Sequence, residues 1–119
     1  MPRPLVLAVP LALAALAPLP AAAHAILLSS TPAIGGTVQA GPAALELRFN
    51  SRIDRARSVL RLTRPDGSRT ELAIAAGPGP DILRASADLA PGAYTLRWQV
   101  LAVDGHITRG DVPFTVAPK

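Results

Sequence analysis

Apolar and polar residues alternate with a period of two over most of this chain, and this alternation limits the possible fold more than any other feature. In residues 44–49 the apolar residues occupy one side, and Glu46 and Arg48 occupy the other, as expected of a half-buried β-strand. The same pattern predicts strands at 58–63, 70–75, 82–89, 93–103 and 112–116. No segment shows the apolar stripe of an amphipathic helix. About seven short strands separated by turns predict an all-β fold, a small immunoglobulin-like β-sandwich or barrel of Greek-key type.

Turn-forming and aromatic residues add detail to this predicted fold. The sequence Pro-Asp-Gly-Ser at 65–68 favours a tight turn, because proline presets φ and glycine accepts a positive φ. Residues 58–75 are therefore predicted to form a hairpin. Tyr94, which follows a Pro-Gly pair, is typical of a tyrosine corner, in which the phenol hydroxyl binds the preceding turn. Trp98, on the longest predicted strand, is predicted to be a central core residue.

The first 23 residues differ in character from the rest of the chain. Seventeen of them are apolar, and the only charged side chain is that of Arg3. An apolar run of about a dozen residues followed by three alanines is typical of a secretory signal peptide. We therefore expect residues 1–23 to be a signal peptide whose removal leaves His24 as the first residue. Cleavage two residues later satisfies the same small-residue rule and would leave Ile26 first.

The composition of the remaining residues, 24–119, excludes several classes of protein. Their number suits one small domain, and the absence of cysteine excludes disulfides and thiolate metal sites. Eleven basic and eight acidic residues give a net charge of +3, which is too low to indicate binding to nucleic acid. A basic stretch is expected to form a solvated face, with docking to an acidic partner or an anionic membrane surface as the alternative. It consists of Arg52, Arg55, Arg57, Arg61 and Arg64.

The two histidines of the chain, His24 and His106, are candidates for metal chemistry. Asp104 lies two residues before His106, and alternate side chains of an extended segment point the same way. The carboxylate and the imidazole can then aim at one point. Asp-Gly is also a hairpin-turn signal by itself, and this chain uses it without a histidine at Asp66-Gly67. As a free N-terminus, His24 would offer its α-amine and the ring nitrogen nearest the backbone, which together chelate a metal.

These groups supply three nitrogens and one oxygen. Such a set suits a square-planar or tetragonal ion and indicates Cu(II), which also heads the affinity order of the first-row divalent metals. Zn(II) stays open, because two imidazoles, a carboxylate and water can bind it. The only methionine is Met1 and there is no cysteine, which argues against a soft Cu(I) site.

Several short segments, taken in their order along the chain, are similar to those of a known family. They are His24-Ala25, Leu28–Ala33, Gly36, Leu45–Phe49, Leu89–Trp98, Asp104-Gly105-His106, Gly110 and Phe114–Val116. Together they resemble the CopC family of periplasmic copper-binding proteins. The resemblance implies a Greek-key β-sandwich over residues 24–119 and one Cu(II) ion bound by the amine and ring of His24, by Asp104 and by His106. Because the family is often encoded beside or fused to a membrane protein, it also suggests an inner-membrane copper transporter of the CopD type as a partner.

Two departures from the family pattern restrict the expected site. Where the family usually has Ser-Glu-Pro, this chain has Asn50-Ser51-Arg52, so an acidic residue often found near the copper is missing. Residues 75–81 contain neither methionine nor histidine, so the Met/His-rich loop that binds Cu(I) in some members is absent. A single Cu(II) site is expected.

These observations predict a periplasmic Cu(II) carrier or buffer in copper resistance or uptake, not an enzyme, and a monomer that binds no nucleic acid. Affinity should fall as the pH falls, because protons must leave the ligands before copper binds. An N-terminal-histidine copper monooxygenase is the enzyme alternative, although Asp104 would then occupy a position that oxygen chemistry needs open. A metal-free structural or adhesive β-sandwich module is the other alternative.

Overall fold

The computed structural model describes Pro2, Pro4 and residues 24–119. The predicted signal peptide, apart from those two prolines, lies outside the described residues. Residues 24–119 contain eight strands: β1 Leu27–Thr31, β2 Thr37–Gln39, β3 Gly41–Phe49, β4 Ile53–Thr63, β5 Arg69–Leu72, β6 Ile82–Leu89, β7 Gly92–Ala102 and β8 Ile107–Ala117. In the part of the chain that the structure describes, no helix has the length and apolar character needed to cross a membrane.

The predicted all-β class is confirmed, with eight strands where about seven were expected. The three residues of β2 are too few to show an alternating pattern. Two strands begin earlier than predicted, β4 at Ile53 instead of 58 and β8 at Ile107 instead of 112. A register shift interrupts the first part of β4. In β8 the first inward positions are Thr108 and Gly110, which are not large apolar residues, and the alternation is therefore hidden there.

Two sheets form the sandwich. One has the strand order β1-β3-β6 and the other the order β2-β8-β7-β4-β5. Neighbouring strands are antiparallel except for the parallel pair β2–β8. The chain crosses repeatedly from one sheet to the other, as predicted for an immunoglobulin-like Greek-key sandwich. The largest fully buried side chains come from both sheets: Phe49, Leu45, Leu47, Leu60, Leu62, Leu83, Leu96, Val100, Val112 and Val116.

The aromatic residues have the structural roles predicted for them. The Tyr94 hydroxyl donates a hydrogen bond to the Ala90 carbonyl at 2.7 Å, which confirms the tyrosine corner. Trp98 is buried and packs edge-on against Phe49, with ring centroids 5.1 Å apart. A Cβ at Gly110 would lie only 2.4 Å from the indole of Trp98, so this glycine leaves room for the ring. The core therefore uses the aromatic residues that a ligand-stacking surface would require.

Two hairpins lie at opposite ends of the five-stranded sheet. The predicted hairpin is confirmed as β4–β5, and the second hairpin is β7–β8. Ile53 pairs with Ala102, whereas Thr63, at the other end of β4, pairs with Thr95. The β7–β8 turn therefore shares its end of the sandwich with the end of β3 and the start of β1. This arrangement brings the N-terminal end of the described segment towards the turn that carries His106.

Candidate metal centre

The turn between β7 and β8 consists of the four residues Val103–His106. The Gly105 N–H donates to the Ala102 carbonyl, and the Ala102 N–H donates to the His106 carbonyl, both at 2.9 Å. Gly105 has a φ of 86°, which a residue without a Cβ adopts easily. This is the hairpin in which a glycine in the left-handed region follows a tight turn, and it fixes the backbone on both sides of Asp104.

Asp104 and His106 are joined by two hydrogen bonds. One Asp104 oxygen, Oδ1, accepts from the His106 backbone N–H at 3.0 Å, and Oδ2 lies 2.5 Å from Nδ1 of the His106 ring. The two side chains converge, as expected from their spacing, but the extended geometry assumed from the sequence is wrong. They meet because Asp104 lies within a turn and folds back onto the residue two positions ahead, as short acidic side chains do in turns.

These contacts also determine the charge of the aspartate. The backbone N–H of His106 lowers the pKa of Asp104 below its ordinary value, and the His106 side chain and the charges of His106 and His24 lower it further. Burial opposes these effects but does not cancel them. The carboxylate is therefore ionised at neutral pH, as a metal ligand requires.

A reciprocal pair of hydrogen bonds holds the segment that leads to His24. The Ile26 N–H donates to the side-chain oxygen of Asn50 at 2.8 Å, and the Asn50 N–H donates to the Ile26 carbonyl at 3.0 Å. Ala25 is buried in the core. With these two residues fixed, the ring of His24 lies beside that of His106, with centroids 4.9 Å apart and planes inclined by 60°.

The three candidate ligands therefore meet at one end of the sandwich. One ligand atom from each of His24, Asp104 and His106 can be chosen so that all three lie within 4.8 Å of one another. Metal–nitrogen bonds of about 2 Å place opposite donors about 4 Å apart, so only a small inward movement would be needed. The imidazole of His106 is 64% exposed, which leaves the cluster open to solvent.

The sequence showed no signal for the role of Asn50. The sequence indicated only that an acidic residue often found near the copper in the family is missing from Asn50-Ser51-Arg52. In this chain the Asn50 amide instead holds the N-terminal segment against the end of β3. A side-chain amide that binds a backbone group 24 residues away leaves no local pattern, so only the folded structure reveals it.

The basic stretch is divided among different roles and is not a uniform face. Arg55 reaches across to the carbonyls of Ile82 and Gly79, and it thereby secures the loop before β6. Arg64 is directed to the Asp88 carbonyl at 3.5 Å. Arg52, Arg57 and Arg61 are exposed, which agrees with the expected solvated role for these three residues.

The family profile described as the CopC domain matches residues 27–117, which include every strand of the sandwich. The chain belongs to the CopC family. Among the relatives of this chain, protein YobA of Escherichia coli K12 is 34% identical over 98 residues, covering 79% of each chain. Copper resistance protein C of Xanthomonas campestris pv. juglandis is 31% identical over 112 residues, covering 87% of each chain.

Solved CopC structures share the fold described above. CopC from Methylosinus trichosporium OB3b is 31% identical with a TM-score of 0.73, covering 80% of this chain and 95% of that one. PcoC from Escherichia coli, described as a methionine-rich copper resistance protein, is 27% identical with a TM-score of 0.68, covering 80% of this chain and all of that one. Residues 24–119 of this chain, in contrast, contain no methionine.

Proposed function

We propose that this CopC-family chain is exported to the periplasm, begins at His24 after cleavage, and binds one Cu(II) ion as a carrier or buffer. The observation that carries the proposal is the cluster of His24, Asp104 and His106, whose ligand atoms lie within 4.8 Å of one another. Two relatives described as copper resistance proteins support copper as the ion and a role in copper resistance or uptake.

The proposed donor set is three nitrogens and one oxygen. Release of the signal peptide turns the backbone nitrogen of His24 into a free α-amine, which chelates together with the nearer ring nitrogen. A ring nitrogen of His106 supplies the third nitrogen, and a carboxylate oxygen of Asp104 supplies the fourth donor. Before copper binds, both Asp104 oxygens are hydrogen-bonded to His106, and these bonds hold the two side chains close to each other.

A carrier fits this site better than an oxidative enzyme. Asp104 fills the position at which oxygen would have to bind, and the aromatic residues belong to the core and leave no surface for stacking a substrate. An open site on the surface suits transfer of the ion to another protein. We further propose that the chain acts as a monomer and that an inner-membrane copper transporter of the CopD type is its partner.

The α-amine can be tested separately, because Lys119 is the only lysine of the chain. In an exported Lys119→Arg variant, mild acetylation modifies the α-amine alone. We expect the intact mass to correspond to a chain that begins at His24. Acetylation should lower Cu(II) affinity at least about 100-fold, because it removes a direct donor and not merely a residue that hydrogen-bonds to a ligand. The unacetylated variant is the matched control. A chain that begins at Ile26, or equal affinity after acetylation, would contradict the proposal.

A further inference from the structure

Three exposed aliphatic side chains lie next to the candidate ligands along the chain. Ile26 is 57% exposed, Val103 is 66% exposed and Ile107 is 52% exposed. Each lies within two residues of His24, Asp104 or His106 along the chain, and we call these three side chains the apolar rim. Exposed apolar groups that gather around one place on a protein mark an interaction surface, and here that place is the metal end of the sandwich.

Two arginines lie beside the apolar rim. Arg52 and Arg57 line, together with Val103, a cleft of about 510 Å³. Arg52 forms no ion pair with another described residue, and the guanidinium of Arg57 is 3.9 Å from the carboxylate of Asp54, with its side chain 75% exposed. The charges of the two arginines are balanced by those of Asp54 and Asp104. Arg55, which is held at the Gly79 carbonyl beside the same cleft, adds one more positive side-chain charge at this end before any metal binds.

Copper would change that balance, a step that rests on the proposed function. A Cu(II) ion adds two positive charges, and the α-amine of His24 gives up at most one proton when it binds the ion. The loaded end is therefore more cationic than the empty end by at least one charge. The ligands that hold this charge are close neighbours of the exposed apolar side chains along the chain, so loading favours contact with an anionic surface.

We propose that the metal end of the sandwich docks on an anionic phospholipid bilayer, and that it does so more strongly when copper is bound. The apolar rim enters the headgroup boundary, as exposed apolar side chains of peripheral proteins do, while Arg52 and Arg57 bind lipid phosphates. A bilayer fits better than a protein partner because the rim is entirely aliphatic. The residues that dominate protein–protein interfaces are enriched in tryptophan, tyrosine and arginine, with valine and leucine under-represented, and the apolar rim contains neither tryptophan nor tyrosine.

Vesicle binding tests this proposal. The exported protein, either metal-free or desalted after loading with one equivalent of Cu(II), is sedimented with vesicles of equal phosphatidylglycerol and phosphatidylcholine or of phosphatidylcholine alone. We expect copper to raise partitioning onto the anionic vesicles roughly five-fold or more. Partitioning should fall at high salt and should be weak on the neutral vesicles under all conditions.

Variants separate the apolar rim from the metal site. The double variant Val103→Ser/Ile107→Ser should lower partitioning roughly ten-fold while it keeps the ligands. Ile34→Ser is the matched control, because Ile34 is 62% exposed but lies towards the opposite end, next to Gly35, which donates to the Pro113 carbonyl. Electron paramagnetic resonance of each loaded protein reports copper binding independently of the vesicles.

The outcomes distinguish the two proposals. If the resonance spectrum shows no protein-bound copper, the proposed function fails, and the copper-dependent part of the docking fails with it. The metal-free arm then still tests the apolar rim through the double variant. Bound copper without copper-dependent partitioning, or equal partitioning of the double variant, overturns the docking proposal. Sedimentation velocity without vesicles tests for a dimer. A copper-dependent dimer that the double variant does not form would assign the apolar rim to contact with a second copy of the chain, and this result would also overturn the docking proposal.

Discussion

The two hairpins of the five-stranded sheet have the same turn and different surroundings. In both turns an Asp-Gly pair places glycine at a φ of 86°, and the aspartate accepts the backbone N–H of the residue two positions ahead. The acceptors are Asp66, at 2.9 Å from Ser68, and Asp104, at 3.0 Å from His106. In each turn the glycine N–H also donates a hydrogen bond of 2.9 Å to the carbonyl three residues earlier. The backbone geometry is therefore common to both and cannot by itself make a metal site.

The difference lies in what the fold brings to each turn. The β7–β8 turn has a histidine where the β4–β5 turn has Ser68, and a second ring, that of His24, lies 4.9 Å from the first. At the other end of the sheet, Pro65 packs against Gly92, where a Cβ would lie 2.4 Å from the proline ring. A short Asp-Gly-His motif thus acquires chemical meaning from a segment about 80 residues away in sequence.

The largest expected effect comes from removing the histidine that distinguishes the turns. His106→Ala should lower Cu(II) affinity at least about 100-fold, because it removes one nitrogen donor. Loss of a direct donor should cost more affinity than loss of a residue that only hydrogen-bonds to a ligand, which costs about 10- to 100-fold. Competition titration with a chromophoric chelator measures the affinity, and thermal melting checks that the exposed substitution leaves the fold intact.

Changes at Ser68 serve as controls for that prediction. Ser68→Ala should leave copper affinity unchanged. Placing the motif in the other turn, with Ser68→His in the His106→Ala background, should not restore tight binding, because no second histidine lies there. Tight binding by this transplanted Asp-Gly-His would mean that the turn alone makes the site.

A smaller effect is expected from the aspartates. Asp104→Asn keeps the shape of the side chain but removes its charge, so Cu(II) affinity should fall by about 10- to 100-fold. Asp66→Asn, the same change in the other turn, should leave the affinity unaltered. Equal affinities of the two variants by competition titration would remove Asp104 from the donor set.

Substitution of the two turn glycines, Gly67 and Gly105, should lower the stability of the fold equally but should affect copper binding unequally. Gly67→Ala and Gly105→Ala each force a side chain into the left-handed region, which costs about 1–2 kcal/mol, and no neighbouring atom lies within 4 Å of either added Cβ. Denaturant unfolding of the metal-free proteins should therefore give similar losses. Only Gly105→Ala should also weaken copper binding, because the strained turn displaces Asp104 and His106. Unequal losses of stability would show that the two turns are not equivalent.

The smallest effect is the pH dependence of metal-free stability. Hydrogen bonds from the side chain and backbone of Ser68 lower the pKa of Asp66, and the backbone N–H of His106 is the first cause for Asp104. A carboxyl group whose pKa is lower in the folded protein than in the unfolded chain stabilises the fold at any pH above its ordinary pKa of about 3.9. This stabilisation is lost as the pH falls through the lowered pKa of the folded protein. Melting temperatures of Asp66→Asn and Asp104→Asn should approach that of the unchanged protein in acid. A gap that widens in acid would contradict this sign.

Alternation with a period of two was enough to predict the class of fold and most of its strands. It fails where the inward residues are small, as at Thr108 and Gly110 in β8, and where a strand has only three residues, as in β2. The tyrosine corner was predictable because Tyr94 and its acceptor Ala90 lie four residues apart, so the signal is local.

The members of the candidate cluster, His24, Asp104 and His106, were predictable, but their geometry was not. The spacing of Asp104 and His106 indicated convergence, although a turn and not an extended segment produces it. The position of His24 depends on how the two sheets pack and on the Asn50–Ile26 hydrogen bonds. Neither leaves a pattern in the local sequence. Contacts between distant segments are the part of a site that sequence spacing alone does not determine.

Electron paramagnetic resonance of the exported protein with one equivalent of Cu(II) tests the central claim most directly. The account predicts an axial spectrum with hyperfine splitting from several nitrogen ligands, as three nitrogens and one oxygen in a tetragonal site require. A spectrum of Cu(II) that shows no coupling to nitrogen would contradict the claim that His24 and His106 bind the ion together.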